Sequence, residues 1–598
     1  MAFECEPCRE SGFLRSARRT ALGVTRSLLA FLVALVVGSA VLARDAETNS
    51  TPSRLKAGLV QMALGPTIQD NRDRIVSGIS KAAVLGVRVA VFPEGALRGN
   101  NGDDPALVEE AVAAIRQAAR AANLYVVFGG ATASPGDRRA RNWMRVAGPD
   151  GGEVFRYDKI YDQHNARMPG VFHIDGIPCS AMICADRWLR GVEEVPIQQG
   201  ARISFELSCN FASEWVAPFE WYWYVPCALR NNVWVLFANT GNRAAGVPDD
   251  AAAPRELRHG HSAIIAPDGR IVAAARDDVE TIVVADLVVG EATRAEALAR
   301  ATHPVLRPFW EAGVKLQRGE AVEAPALLAL QSAETDITVA VAQVTNDLMA
   351  MEAMIGQAHA KHADLIVFPA RAIAATALER LQAAARVNRI TVVVGMEHPG
   401  AGGLRNAAFV LGPDGGVLTR YDQLSAASPF QAGTDPAAMW FRVKGVPAVV
   451  TIGRDALWTE LAELAAVAGA QIHVHLEHDS ASGPEADLRR LQVWANFASF
   501  QTFSVAANVV GSAIWDDLRD LEERRAEVRG LPRPNTGAVE VYSPFSANLV
   551  ARTGTGPQLL TATRRVGRAN LYHPRRTSGL NPQMDAWYRL GAAILHPK

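Results

Sequence analysis

The chain has 598 residues, and 61 Lys+Arg against 62 Asp+Glu leave it almost neutral. That balance supplies neither a basic field for nucleic acid nor an acidic tail for a polycation, so the expected partner is a small molecule or another protein. The length is too great for a single core and predicts about two to four domains.

In chain order, Arg9, Arg15, Arg18, Arg19 and Arg26 precede the apolar run SLLAFLVALVVGSAVLA, which ends in small residues at Val41 and Ala43. Basic, apolar and small-residue zones in that order predict a secretory signal, hence export to a periplasmic or extracellular space. The other reading is membrane attachment by an uncleaved anchor, because about 17 apolar residues lie near the lower limit for a span. Arg18-Arg19 in ARRTALG fits a twin-arginine signal poorly. Six cysteines are too few for a disulfide scaffold. Cys5 and Cys8 fall in the leader, so any bridge in an oxidising compartment would draw on Cys179, Cys184, Cys209 and Cys227.

From residue 54 the chain repeats itself. LKAGLVQM is answered by ITVAVAQV, VAVFPEGAL by LIVFPARAI, and IRQAARAANLYVVFGG by LQAAARVNRITVVVGM. NWMRVAGPDGGEVFRYDKIY is answered by NAAFVLGPDGGVLTRYDQLS, ARISFELSCN by AQIHVHLEHD, and NNVWVLFANTGN by FQTFSVAANVVG. So many matches in one register exclude chance. The shared GPDGG predicts a hairpin turn, with Asp and Gly supplying left-handed backbone angles between two apolar strands. Strands alternating with helical periodicity predict a sheet covered by helices, an α/β layer architecture.

Three residues of the first half carry chemistry when taken together. Cys184 ends the apolar run SAMIC and is followed at once by Ala185, Asp186 and Arg187, as expected of a strand that delivers a thiol to a pocket mouth. Alone, such a cysteine reads as inert core. Glu94 follows the strand RVAVFP and Lys159 follows the hairpin; alone, each reads as a solvated charge. As a set they suit a nucleophilic reaction. A carboxylate such as Glu94 takes the thiol proton and later delivers it to a leaving amine. An ammonium such as Lys159, with the backbone N–H of Ala185, stabilises the negative charge that attack on a C=O or C≡N carbon creates.

The order Glu, Lys, Cys within FPEGAL, YDKIY and MICADRW resembles the nitrilase or carbon–nitrogen hydrolase superfamily, and the resemblance covers both halves. It implies tandem four-layer αββα sandwich domains, a cysteine acyl-enzyme, and no metal or organic cofactor. By motif match, Glu94 is the base, Lys159 the stabiliser of the tetrahedral intermediate and Cys184 the nucleophile. Many members carry a second glutamate shortly beyond the lysine. Here DQHNARMPG has none, leaving Gln163, His164, Asn165 or Arg167 to supply its hydrogen bonds. CADRW is closer to the carbamoylase and amidase branches than to the CWE of true nitrilases, so an amide or N-carbamoyl substrate is expected, with a nitrile as the alternative. A catalytically silent binding protein is the reading from a different class; the intact Glu94, Lys159 and Cys184 argue against it.

In the second half Ala370, Gln423 and Gly453 replace the three residues, so a degenerate copy is expected. There His473, His475 and Glu477 alternate along HVHLEHD without an evident fourth metal ligand, and ordinary hydrogen-bonded histidines are expected. The aromatics of NFASEWVAPFEWYWYVP, namely Trp215, Phe219, Trp221 and Trp223, either line the site or pack. The expected organisation is a leader over 1–53, an active domain over 54–290, a helical connector over 291–335, a degenerate domain over 336–555 and a C-terminal extension over 556–598. Family domains pair through their outer helices, so the two copies are expected to form an internal pseudo-dimer.

Overall fold

A computed structural model describes residues 53–99, 104–133, 140–161, 167–210, 215, 220–242, 258–327, 329–400, 402–498, 500–517, 549–567 and 582–596. The leader with Cys5 and Cys8, together with Gln163, His164, Asn165 and Phe219, lies outside the described residues. Among the described residues no helix is long and apolar enough to cross a membrane.

Local signals set the first elements. Helix Ile68–Val84 starts at Thr67, whose hydroxyl accepts from the Asp70 N–H while the Asp70 carboxylate reaches back to Thr67, a reciprocal cap. Helix Pro105–Ala122 has Asp104 as its cap and Pro105 in its first turn, and it stops at Asn123 in the left-handed region, φ 53°. Both GPDGG sequences form the same hairpin. Gly151 and Gly415 sit at φ 80° and 82°, and Asp150 and Asp414 each accept from the N–H two residues on, at 2.8 and 2.9 Å.

Each half builds two six-stranded sheets. In the first lobe one sheet runs Thr281–Val288, Arg54–Gln61, Val89–Val91, Tyr125–Thr132, Arg141–Ala147, Glu153–Asp158. The other runs Ile271–Ala274, Ala263–Ile265, Trp234–Asn239, Ile203–Ser208, Ile177–Ile183, Phe172–Ile174. The second lobe repeats both orders, with Gln558–Val566 pairing antiparallel with Thr335–Gln343 just as Thr281–Val288 pairs with Arg54–Gln61. Its sheet therefore extends past residue 555, because a strand is needed at that edge to complete the repeat.

The layers follow from which faces are apolar. Val91, Val127, Ile183, Phe205 and Leu236 fill the space between the two first-lobe sheets. Helices Ile68–Val84 and Pro105–Ala122 cover the outer face of one sheet through Ile75, Ile79, Val112 and Ile115. The result is a tandem pair of αββα sandwiches. The second outer face of the first lobe is different, because its core continues without a break into the second lobe. Phe309 stacks on Trp587 with ring centroids 4.6 Å apart, in a cluster that also holds Ile197, Trp310, Leu464 and Tyr588. Buried in this layer, Arg190, Arg230 and Arg300 meet Glu193, Glu194, Glu460 and Glu463. Arg190 reaches across to Glu463 and donates to the Thr459 hydroxyl at 2.9 Å, while Arg300 lies 3.3 Å from Glu460.

Candidate active site

Strand Ile177–Ile183 is buried along nearly its whole length and pairs in parallel with Ile203–Ser208, so its end is fixed in the sheet. The next residue, Cys184, opens a 3-10 turn over Cys184–Trp188 with φ 47°, a left-handed angle that is strained for a residue with a Cβ. That sharp turn leaves the half-buried thiol at the strand end, with Ala185 beside it in the same turn.

Glu94, Lys159 and Cys184 line one cavity of about 520 Å³, together with Leu64, Cys209, Arg98 and Arg258. Glu94 and Lys159 are both buried, and the Lys159 ammonium donates to Glu94 Oε1 at 2.8 Å. Burial by itself would make Lys159 easier to deprotonate. The charges of Glu94, Cys184 and Asp186 outweigh that and raise its pKa above the ordinary value, so Lys159 is a fixed cation. The cavity thus gathers a thiol, a carboxylate and a permanent positive charge, the three functions that acyl transfer through sulfur requires.

The supporting residues were not singled out in the sequence. Asn142 donates to Glu94 Oε1 at 2.6 Å. Its signal was available, since Asn142 and Asn406 head the two repeated hairpin motifs, and Asn406 likewise donates to Gln423 Oε1 at 2.8 Å. Asp186 is fully buried and accepts from the N–H groups of Ile160 and Tyr161 at 3.2 and 2.7 Å and from the Tyr157 hydroxyl at 3.2 Å. It thereby fixes the chain on both sides of Lys159. Arg187 turns under the nucleophile, donating to the Cys184 carbonyl at 2.8 Å and pairing with buried Glu206 at 2.8 Å. The Cys184 thiol lies 3.6 Å from Asn210 Oδ1, and the Asn210 amide donates to the Tyr224 hydroxyl at 2.6 Å.

Burial pushes the Asp186 carboxyl up to about 7, against the opposing pull of Lys159 and of the Tyr161 and Ile160 N–H groups. A carboxyl raised in the folded chain contributes stability that is complete below its ordinary value near 4 and is lost as pH rises through about 7. The melting temperature of wild type relative to Asp186→Asn is therefore expected to fall between those pH values. A difference that stays flat with pH would show that Asp186 does not titrate there.

Other expected residues lie elsewhere. Arg167 is exposed and is not among the cavity residues. Trp215 stacks on His261 at 3.8 Å, Trp221 donates to the His261 carbonyl at 2.9 Å, and Trp223 is buried beneath Arg230, so these aromatics pack. Cys179, Cys184, Cys209 and Cys227 are all free thiols, and burial pushes the pKa values of Cys179, Cys209 and Cys227 upward.

In the second lobe Gly453 keeps the turn, φ 53°, without a side chain, and Asp455 accepts from the Tyr421 hydroxyl at 2.8 Å as Asp186 does from Tyr157. Gln423 donates to the Ser425 hydroxyl at 3.0 Å, and the Ala370 N–H donates to the Glu477 carbonyl at 3.0 Å. His473 and His475 share the Thr451 hydroxyl at 2.8 and 3.0 Å. Among the described residues no group of three or more His, Cys, Asp or Glu is gathered so as to hold a metal ion.

The family model described as carbon–nitrogen hydrolase matches residues 56–297 and again 328–530. No match was found among curated proteins. Among solved structures, a double mutant of the amidase from Nesterenkonia sp. AN1 in complex with acrylamide is 16% identical over 44% of this chain and 100% of its own, with a TM-score of 0.36. The C. elegans NitFhit protein is 18% identical over 43% of this chain and 65% of its own, also with a TM-score of 0.36.

Proposed function

Because the chain belongs to the carbon–nitrogen hydrolase family, we propose that its first lobe hydrolyses the C–N bond of an amide or N-carbamoyl compound through a thioester on Cys184. The observation that carries this reading is the convergence of Glu94, Lys159 and Cys184 on one cavity. Glu94 takes the thiol proton as sulfur attacks the carbonyl carbon. Negative charge then collects on the carbonyl oxygen, where Lys159 and the Ala185 N–H stabilise it. Glu94 returns the proton to the nitrogen, the C–N bond breaks, and the amine or ammonia leaves. Water, deprotonated by Glu94, attacks the thioester; the acid departs and the thiol is restored.

The test is ammonia release by the purified full chain, offered amides, N-carbamoyl amino acids and nitriles in parallel. Turnover of the first two classes supports the proposal, and turnover of nitriles alone replaces it with a nitrilase. No release from any class would favour a silent binding protein.

The second lobe is read as catalytically silent. Putting cysteine at Gly453 is expected to give no activity in a chain whose Cys184 is already alanine. A Cβ there would lie 3.2 Å from the Gln423 amide, and neither a carboxylate nor an ammonium replaces Ala370 and Gln423. Ammonia release by that double variant would overturn the assignment.

A further inference from the structure

The second lobe has a cavity of its own beside Gly453, and the repeat shows what fills the same place in the first lobe. Residues 184–239 and 453–508 match without a gap. Ile183 and Ile452 end strands that pair in parallel with Leu207 and Leu476, in the same register. Further on, the backbone N–H groups of Asn210 and Asp479 each donate at 2.8 Å to an asparagine Oδ1, that of Asn239 and of Asn508. In this register Arg187 falls opposite Ala456, Ser208 opposite Glu477, Asn210 opposite Asp479 and Tyr224 opposite Val493.

In the first lobe those four residues close on one another. Buried Arg187 donates to the Tyr224 and Ser208 hydroxyls, both at 2.9 Å, and to Asn210 Oδ1 at 3.2 Å, and it pairs with Glu206 at 2.8 Å. In the second lobe alanine and valine replace the two long side chains. Ala456, Glu477, Asp479 and Val493 all line a cavity of about 540 Å³, together with Gly453 and Trp494. That volume lies within the range of small-molecule sites. The carboxylate has moved as well. His475 stands opposite Glu206, and the glutamate appears two residues on, at Glu477, on the wall of the cavity that the arginine has left.

The arginines that line this cavity have other work. Arg454 pairs with Glu296, Arg489 donates to the Asp268 carbonyl at 2.8 Å, and Arg490 donates to Asp479 Oδ2 at 2.6 Å. Glu477 and the exposed Glu485 have no lysine or arginine partner among the described residues. Glu477 accepts from the His478 N–H at 2.9 Å, and its Oε2 lies 3.5 Å from His475 Nε2, a buried atom with no hydrogen-bond partner among the described residues. Burial would push the Glu477 carboxyl up, but neighbouring His475, the His478 N–H and Arg490 hold it below the ordinary carboxylate value. We propose that this cavity binds a small organic cation, a guanidinium on a short apolar chain, whose head takes the place of the Arg187 guanidinium and has Glu477 as its counter-ion. A guanidinium presents parallel N–H donors that match a carboxylate, and Val493 and Trp494 offer the chain an apolar wall.

Turnover at Cys184 plays no part in the test, which is calorimetric titration of the full chain with n-butylguanidinium against the neutral and nearly isosteric n-butylurea. The cation is expected to bind saturably and at least about tenfold more tightly than the urea, as a charge-assisted pair requires. Glu477→Gln should weaken it by about tenfold or more. Ala456→Arg, which supplies a tethered guanidinium, should abolish binding. Glu94→Gln should leave the affinity unchanged, because that carboxylate lines the first-lobe cavity. Hydrogen exchange on wild type locates the ligand even where a variant fails to fold: the cation should slow exchange in 453–457 and 484–494 and not in 184–188. Absence of saturable binding, equal affinity for butylurea, or protection confined to the first lobe overturns the site. So does an affinity that survives both Glu477→Gln and Ala456→Arg, or one lost only in Glu94→Gln.

Discussion

Replacement of Cys184 by alanine is expected to remove ammonia release, lowering it by at least about a thousandfold, because the sulfur is the atom that carries the acyl group. The fold should not notice. Cys184 is only half-buried, and alanine differs from it by a single sulfur atom at a strand end. Gly453 shows that the same turn stands in the second lobe without any side chain. The melting temperature should therefore stay close to wild type while turnover vanishes, a combination that separates chemistry from folding. Glu94→Gln and Lys159→Met should each cost on the order of a hundredfold or more, since one moves a proton and the other faces developing charge. If Cys184→Ala keeps a tenth of the turnover, sulfur at 184 is not the nucleophile, and Cys209 in the same cavity becomes the residue to replace next.

Much of this site was legible because its residues stand at the ends of regular elements. Glu94 and Cys184 close buried parallel strands and Lys159 follows a hairpin, so patterning that fixes the strands also fixes the side chains. The repeat made two α/β lobes readable and the resemblance to carbon–nitrogen hydrolases implied their αββα layering, and each half does repeat the same strand order. Arg98 and Arg258 were not legible, because irregular loops carry them and no periodicity says which way a loop side chain faces. Asp186 was legible only as a charge following the strand-end cysteine, with no role attached. Only the tertiary structure folds the Ile160 and Tyr161 N–H groups onto it. Strand Gln558–Val566 escaped because it is only partly buried and mixes Arg564 and Arg565 into its alternation, so its sequence reads as an exposed tail. Arg190, Arg230 and Arg300 were hidden for a related reason: arginine is normally a surface residue, and what buries these three is a second lobe far away in sequence.

That shared layer sets the other large effect, which concerns residues 54–320 expressed alone. The fragment is expected to aggregate or self-associate, whereas the full chain should sediment as one compact particle. Without the second lobe, Phe309 and Trp310 lose Trp587, and Gly313 loses the indole packed against it. A fully buried large apolar side chain contributes about 1.5–3 kcal/mol. Exposing Phe309 and Trp310 together would then remove a sizeable part of a domain stability of about 5–15 kcal/mol. The polar groups add to the loss. Arg190 would be parted from Glu463 and Thr459, Arg300 from Glu460 and Arg230 from Asn496, and breaking a buried pair costs more than the pair contributes when intact. The effect also reaches the thiol. Gln492 and Asn496 of the second lobe hold the carbonyls of Glu220 and Tyr222, two residues on is Tyr224, and its hydroxyl receives the amide of the Asn210 that faces Cys184. A fragment kept soluble by dilution should therefore still lose most of its turnover. Sedimentation velocity on both chains, with ammonia release from each, decides the matter. A monomeric fragment with full activity would leave the second lobe without a structural role.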